Sequence, residues 1–380
     1  MVPEADRDPD LPRRGGAARR WLAGILSAFL GALGLLAVLC LRYPALLTTP
    51  ELRAIYPMDL VRATLAAGLA AAVVLGALAL LFDGGRRLGA AGLGLSLLAL
   101  QLGGAEVEVA TPVPASNHLG LDWFVLDLLL LAVIFVPLER AFARHPEQPV
   151  FRRGWRTDLG YFFVSHLLIQ VLTLLTVAPA LVLFRWVGSA SLQAAVAAQP
   201  AWLQLLEAVL VADLGGYAAH RAFHAVPFLW RFHAIHHSSE ALDWLAGSRL
   251  HLVDVVVTRA AAFAPLFLLG FERGPLTAYL IWVAAQATLV HANLRFGFGP
   301  LRHLLVTPQF HHWHHAADAE GRDVNFAVHL PWIDRLFGTH HLPGDRWPAH
   351  YGIDGEPVPP GWLAQLLHPL RRPPRQSGSA

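Results

Sequence analysis

The chain contains no lysine, so all 29 of its basic residues are arginine. It has a single cysteine, Cys40, set in an apolar run. That excludes an intrachain disulfide and any thiolate metal cage, and it leaves the redox compartment unread. Charge of either sign is scarce. Only 15% of the 380 residues are charged, against about 25% in a soluble domain. No basic stripe interleaved with aromatics is present, so no nucleic acid is expected as a partner. There is no glycine-rich dinucleotide fingerprint after a strand, and no H-E-x-x-H zinc motif. No flavin, ferredoxin or cytochrome-like module is visible, and there is no internal repeat.

Apolar sequence fills the space. It makes up 55% of the chain, and the mean hydropathy is +0.46. The run 21–41 is long enough to cross a bilayer. It reads as a span rather than a signal peptide, because more spans follow and no small-x-small cleavage site closes it. Further spans are expected at 60–82, 88–104, 121–137, 159–184 and 202–217, with two apolar segments at 255–270 and 276–290 forming a helical hairpin. The fold class is therefore all-α: a polytopic integral membrane protein with a histidine-rich helical region on the cytoplasmic side.

Arginine sets that side. Arg13, Arg14, Arg19 and Arg20 precede the first span, and arginines recur at 83–89 and thickly through 139–158. The alternate loops, 42–59, 105–120 and 186–201, hold few. By the positive-inside rule the N-terminus and the arginine-rich returns are cytoplasmic, and crossing counts bring the chain back to that side after Tyr217. The expected organisation is a disordered cytoplasmic N-terminus (1–20), N-terminal transmembrane helices (21–120), a catalytic domain (121–345) and a C-terminal tail (346–380).

Imidazole is concentrated where the charge is not. Twelve of the 20 histidines fall between 220 and 315. His220 and His224 are spaced i, i+4. His233, His236 and His237 follow HxxHH, and His311, His314 and His315 repeat that pattern in FHHWHH. Positions i, i+3 and i+4 share a helix face, so each motif can aim several rings at one centre. Neutral imidazole suits iron, zinc, copper and nickel. Eight or more convergent rings exceed the needs of one tetrahedral zinc and suit two metals. His118, His145, His166, His350 and His368 have no partner at ligand spacing and read as ordinary packing or hydrogen-bonding residues.

HRAFH, HAIHH, HAN at 291–293, TPQFHHWHH at 307–315 and NFAVHLPWIDRLFGT at 325–339 together resemble the fatty acid hydroxylase and sterol desaturase superfamily of integral-membrane, non-haem diiron enzymes. The resemblance covers about 155–342. It implies His220, His224, His233, His236, His237, His291, His311, His314 and His315 as metal ligands. His251, in SRLHLVD, matches a family position followed by proline and often glutamate, where this chain has Leu252 and Asp254. The resemblance leaves Asp254, Asn293, Asn325 and Asp334 as supporting residues, Asp254 as a carboxylate that could orient an imidazole. His312 reads as a neighbour of the motif rather than a ligand.

The activity implied is an oxidoreductase of monooxygenase type. Two iron ions (Fe2+/Fe3+) with dioxygen would hydroxylate or desaturate a C–H bond of a lipid: a sterol, fatty acyl chain, carotenoid or related molecule. Electrons would come from a separate reductase, and the setting is a multi-pass bacterial inner-membrane protein. Glu207, Asp213, Glu240 and Asp243 are the acids near the first cluster, and none has the Glu-x-x-His spacing of soluble diiron bundles. A zinc-dependent membrane hydrolase would need a glutamate inside HAIHH or FHHWHH, which neither has. A histidine-rich metal transporter would place its ligands at mid-membrane depth. A family member with a purely structural site completes the alternatives.

Overall fold

The computed structural model describes residues 14–53, 55–81, 85–109, 119–168, 182, 188–353 and 358–370. His118, most of the expected 159–184 span, the first 13 residues and the end of the tail lie outside them. Among the described residues every regular element is helical, and extended pairing is limited to two isolated bridges, Ala143 with Leu294 and Ala316 with Tyr351. The chain divides into two compact units, Met1–Leu126 and Asp127–Ala380.

In the first unit α1 (Arg14–Arg42), α2 (Met58–Leu81) and α3 (Arg86–Gln101) pack on one another. α1 begins at Arg14, within the stretch read as disordered. Small residues let these backbones approach. A Cβ at Gly31 would meet the Gly92 carbonyl oxygen at 2.5 Å, and Ser27 Oγ donates to the Ala72 carbonyl at 2.7 Å. Close packing of this kind, rather than a hydrophobic gradient, holds helices together in lipid. Val38, Leu65, Leu69 and Ala99 form the unit's buried core.

Among the described residues five helices are long and apolar enough to cross a membrane: Trp21–Arg42, Met58–Leu81, Arg86–Glu106, Leu121–Ala141 (α4) and Leu252–Leu269. The protein is thus a multi-pass membrane protein. The apolar runs expected at 202–217 and 276–290 are also helical but lie outside this set. The first is the start of α7 (Ala201–Ala225), which carries Gln204, Glu207, Asp213, His220, Arg221 and His224. The second lies in α10 (Arg273–His291), which begins on Arg273 and ends on His291. These polar residues lower the hydropathy and belong to the histidine region.

The second unit builds that region from α5 (Trp155–Leu167), α6 (Ala190–Ala197), α7, α8 (Pro227–His237), α9 (Leu252–Leu269) and α10, with three short helices, α11 (Pro308–His314), α12 (Pro331–Phe337) and α13 (Trp362–Leu367). Proline opens α8, α11 and α12 at the first turn, where its missing N–H costs nothing. Thr307 caps α11, its hydroxyl accepting from the Phe310 N–H. α7 is central and packs against α8, α9 and α10. Gly215 is required there, because a Cβ would collide with the Ala261 carbonyl of α9. Tyr217, Val290, Phe310, Phe326 and Ile333 close an apolar cluster beside the histidines. Fully burying a side chain such as Phe310 contributes roughly 1.5–3 kcal/mol. Residues 358–370 also pack into this unit, with Trp362 lying against Gly160.

Candidate metal centre

The nine histidines expected as ligands converge as two groups. His220, His224, His233, His237 and His314 form one, and His236, His291, His311 and His315 form the other. Within each, one nitrogen per ring lies within 4.8 Å of all the others. Neither HxxHH motif serves a single centre, contrary to the reading from spacing. The i and i+4 residues of HAIHH, His233 and His237, join the first group while His236 goes to the second. FHHWHH divides the opposite way, His311 and His315 going to the second group and His314 to the first. Helix geometry is the reason. Positions i and i+4 are about 40° apart around the axis, whereas i+3 lies about 100° from i+4, so one turn can feed two adjacent sites.

Backbone carbonyls fix the tautomers. Nδ1 of His220 donates to the Phe326 carbonyl at 2.8 Å, and Nδ1 of His314 to that of Val324 at 2.8 Å. In the second group His236 Nδ1 donates to the Arg249 carbonyl at 3.1 Å and His291 Nδ1 to that of Ala287 at 2.7 Å. A carbonyl can only accept, so in each ring the proton sits on Nδ1 and the Nε2 lone pair is free. The Nε2 atoms of His236 and His291 are nevertheless 3.3 Å apart, and neither can donate to the other. His224 Nε2 and His314 Nε2 are buried with no hydrogen-bond partner. Lone pairs converging in a water-poor site repel one another unless a cation lies between them. The residues therefore fit a metal ion at each group, and an all-imidazole donor set suits iron, zinc, copper or nickel.

Electrostatics favour the ligand form. Burial, reinforced by neighbouring rings, holds His233, His236, His237, His311, His314 and His315 well below the usual histidine value. Burial brings His220 and His291 down to about 4. All are neutral at physiological pH, as metal binding requires.

The supporting residues divide by what they touch. Asp254 Oδ2 lies 2.6 Å from His233 Nδ1, and its other oxygen accepts from the Thr258 hydroxyl. Asp334 accepts the N–H groups of Phe326 and Ala327 at 2.7 and 2.9 Å, holding the peptide whose carbonyl orients His220. Asn325, at φ 60°, ties the Phe310 and His341 carbonyls with its amide. Asn293 touches no ligand ring. Its backbone N–H donates to Glu139, and its side chain brackets the His145 peptide, which anchors the turn following His291.

His251 lies outside both groups. Its Nδ1 accepts from the Val253 N–H as the cap of α9, and its Nε2 donates to the Leu366 carbonyl, so neither nitrogen is free for a metal. His312 points elsewhere, to the Tyr351 hydroxyl at 2.8 Å. His350 is 80% exposed and His145 is 30% exposed; neither joins a group.

Several contributors had no signature in the sequence. Arg152 pairs with Asp158 and Asp243 at 2.7 Å each, and Arg249 pairs with Asp158 at 2.5 Å. All four are buried, and the network holds the Arg249 backbone that accepts from His236. Asp213 of α7 accepts the N–H groups of Val328, His329 and Leu330. Gly247 leaves room for His291, since a Cβ there would come within 2.8 Å of Nδ1. Glycine and aspartate are too common for such roles to be read from one sequence.

Residues 205–339 match the family model of the fatty acid hydroxylases, a narrower stretch than the motifs suggested. Among curated proteins the chain is 36% identical over 181 residues to an ornithine lipid hydroxylase of Rhizobium tropici, covering 47% of this chain and 53% of that one. It is 32% identical over 153 residues to an alkylglycerol monooxygenase of Danio rerio, covering 40% and 33%. It is 30% identical over 159 residues to a fatty acid hydroxylase of a Lecanicillium species, covering 37% and 42%. The aligned parts thus amount to between a third and about half of those relatives' length. No solved structure matches the chain.

Proposed function

We propose that this chain, whose residues 205–339 form a domain of the fatty acid hydroxylase family, is an oxygen-dependent diiron enzyme that hydroxylates or desaturates a C–H bond of a membrane lipid. The observation that carries the proposal is the pair of adjacent all-imidazole groups, in which carbonyls fix the Nε2 atoms of His220, His314, His236 and His291 as lone pairs. The ligands would be His220, His224, His233, His237 and His314 at one iron, and His236, His291, His311 and His315 at the other.

Two irons bound there would supply dioxygen activation and the oxidising power to attack an unactivated C–H bond. The polypeptide does the rest. The Phe326, Val324, Arg249 and Ala287 carbonyls hold four rings in one tautomer. Asp254 adds negative charge behind His233, which raises the basicity of that ligand. Phe223, Phe310 and Ile235 are fully buried in the same region and limit water at the site, which protects an oxidising centre from side reactions. A lipid fits as substrate because the histidine region is built on the ends of apolar helices, so an alkyl chain can approach from the bilayer. The named activities of the relatives, on ornithine lipid and alkylglycerol, agree with that class.

The arginine pattern supports a bacterial inner-membrane location with the histidines on the cytoplasmic side. Reducing equivalents would come from a separate electron-transfer protein. The direct test is purification in detergent under anaerobic conditions with ample iron, followed by metal analysis and by lipid mass spectrometry of an expressing strain. About two irons per chain and a new oxidised or unsaturated lipid are expected. Iron near one per chain would remove the dinuclear reading.

A further inference from the structure

Arg259 lies inside α9, one of the described helices apolar enough to span a membrane. It is half-buried, and among the described residues it makes no ion pair, hydrogen bond or cation–π contact. The nearest acid in sequence, Asp254, is already occupied by His233 and Thr258. Five residues along a helix also turn Arg259 about 140° away from Asp254. The other buried arginines of this unit are matched: Arg152 and Arg249 both sit on Asp158.

A guanidinium left unpaired in an apolar helix is costly, and such residues face a partner or a polar ligand. Arg259 sits about 10 Å into α9 and about 7.5 Å beyond Asp254 at 1.5 Å per residue. Helical side chains lean back toward the N-terminus, which here is the end where Asp254 supports His233. Its planar fork is suited to a carboxylate or phosphate bound through two parallel hydrogen bonds.

We infer that Arg259 is an anchoring site for the oxyanion of a lipid, a carboxylate or a phosphate, set within α9 about one and a half turns beyond the residue that supports His233. The inference rests on the lipid-oxidising reading for the meaning of that placement, but its test does not. Full-length protein in detergent, immobilised, would be offered radiolabelled oleate against methyl oleate, and phosphatidate against diacylglycerol. The wild type should retain the anionic member of at least one pair about tenfold or more over its neutral counterpart. The pair that discriminates identifies a carboxylate or a phosphate. Arg259→Gln should lose the discrimination, Arg259→Lys should keep part of it, and Arg273→Gln, at the start of α10, should keep all of it.

A second measurement needs no variant. The preferred anion should protect Arg259 from modification by phenylglyoxal, read by peptide mass spectrometry. A wild type that does not discriminate, discrimination that survives in Arg259→Gln, or absence of protection would each overturn the site. None of these readouts requires iron or turnover. Protein without iron that passes them would keep this site and lose the oxygenase reading, and active diiron protein that fails them would do the reverse.

Discussion

Asp254 and Gly247 act on single rings by different means, one through charge and one through the space it leaves. Removing the carboxylate in Asp254→Ala frees His233 Nδ1 from its 2.6 Å partner. Loss of such an outer partner lowers metal affinity about 10–100-fold. Asp254→Asn, which can still accept from Nδ1, should lose less. Chelator competition followed by metal analysis in detergent measures both. Gly247→Ala would push its Cβ to 2.8 Å from His291 Nδ1 and 3.2 Å from the Ala287 carbonyl that the ring uses. The expected result is loss of about half the bound metal with the helices still inserted, because only the four-histidine group contains His291. Complete loss from this variant would mean that the two groups do not load separately. His237→Ala and His315→Ala, one from each group, should both abolish product while membrane insertion persists. His145 and His368 variants should retain product.

At the scale of elements, the site depends on how α7, α8 and α11 are held together, and part of that hold responds to acid. His220 at the end of α7 and His291 at the end of α10 are lowered from 6.5 to about 4 by burial. Between those values the unfolded state binds the protons and the folded state does not, so stability rises with pH across the window. It is complete above about 6.5 and is lost as pH falls toward 4, by up to about 1.4 kcal/mol per pH unit for each group. Metal-free protein in detergent should therefore lose tertiary near-UV circular dichroism between pH 6.5 and 4, and metal-loaded protein should do so at lower pH. Asp213 is the other tie between elements, since it joins α7 to the Val328, His329 and Leu330 peptides. Asp213→Ala leaves three N–H groups without their acceptor, a loss of about 1–3 kcal/mol for each one left buried. It should lower metal content without touching a ligand, as measured on the purified variant.

For the whole molecule, the proposed topology makes a prediction independent of chemistry. Reporter fusions after Arg87, Arg153 and Arg346 should all report cytoplasm, and a fusion near Pro112 should report the opposite side. A periplasmic signal at Arg346 would separate the two HxxHH motifs from the side that the arginines assign.

Several features of this molecule follow from the sequence alone. Long apolar runs without lysine, bounded by arginine, dictate membrane helices, because a bilayer demands that length and composition. The repeated HxxHH spacing, with His220 and His224, singles out eight of the nine rings that converge, and the family resemblance adds His291. Spacing along a helix is a local property and survives in the linear chain. Only tertiary structure decided how those rings are shared. Each motif straddles two sites because neighbouring helices present complementary faces, and no local rule fixes which ring meets which. His251 was removed from the set by contacts equally remote in sequence, its Nε2 donating to Leu366 across 115 positions. The Arg152–Asp158–Asp243–Arg249 network, and the absence of any such partner for Arg259 among the described residues, were equally invisible beforehand. Whether a charge is paired depends on which segments fold against it, and that is settled by the packed molecule.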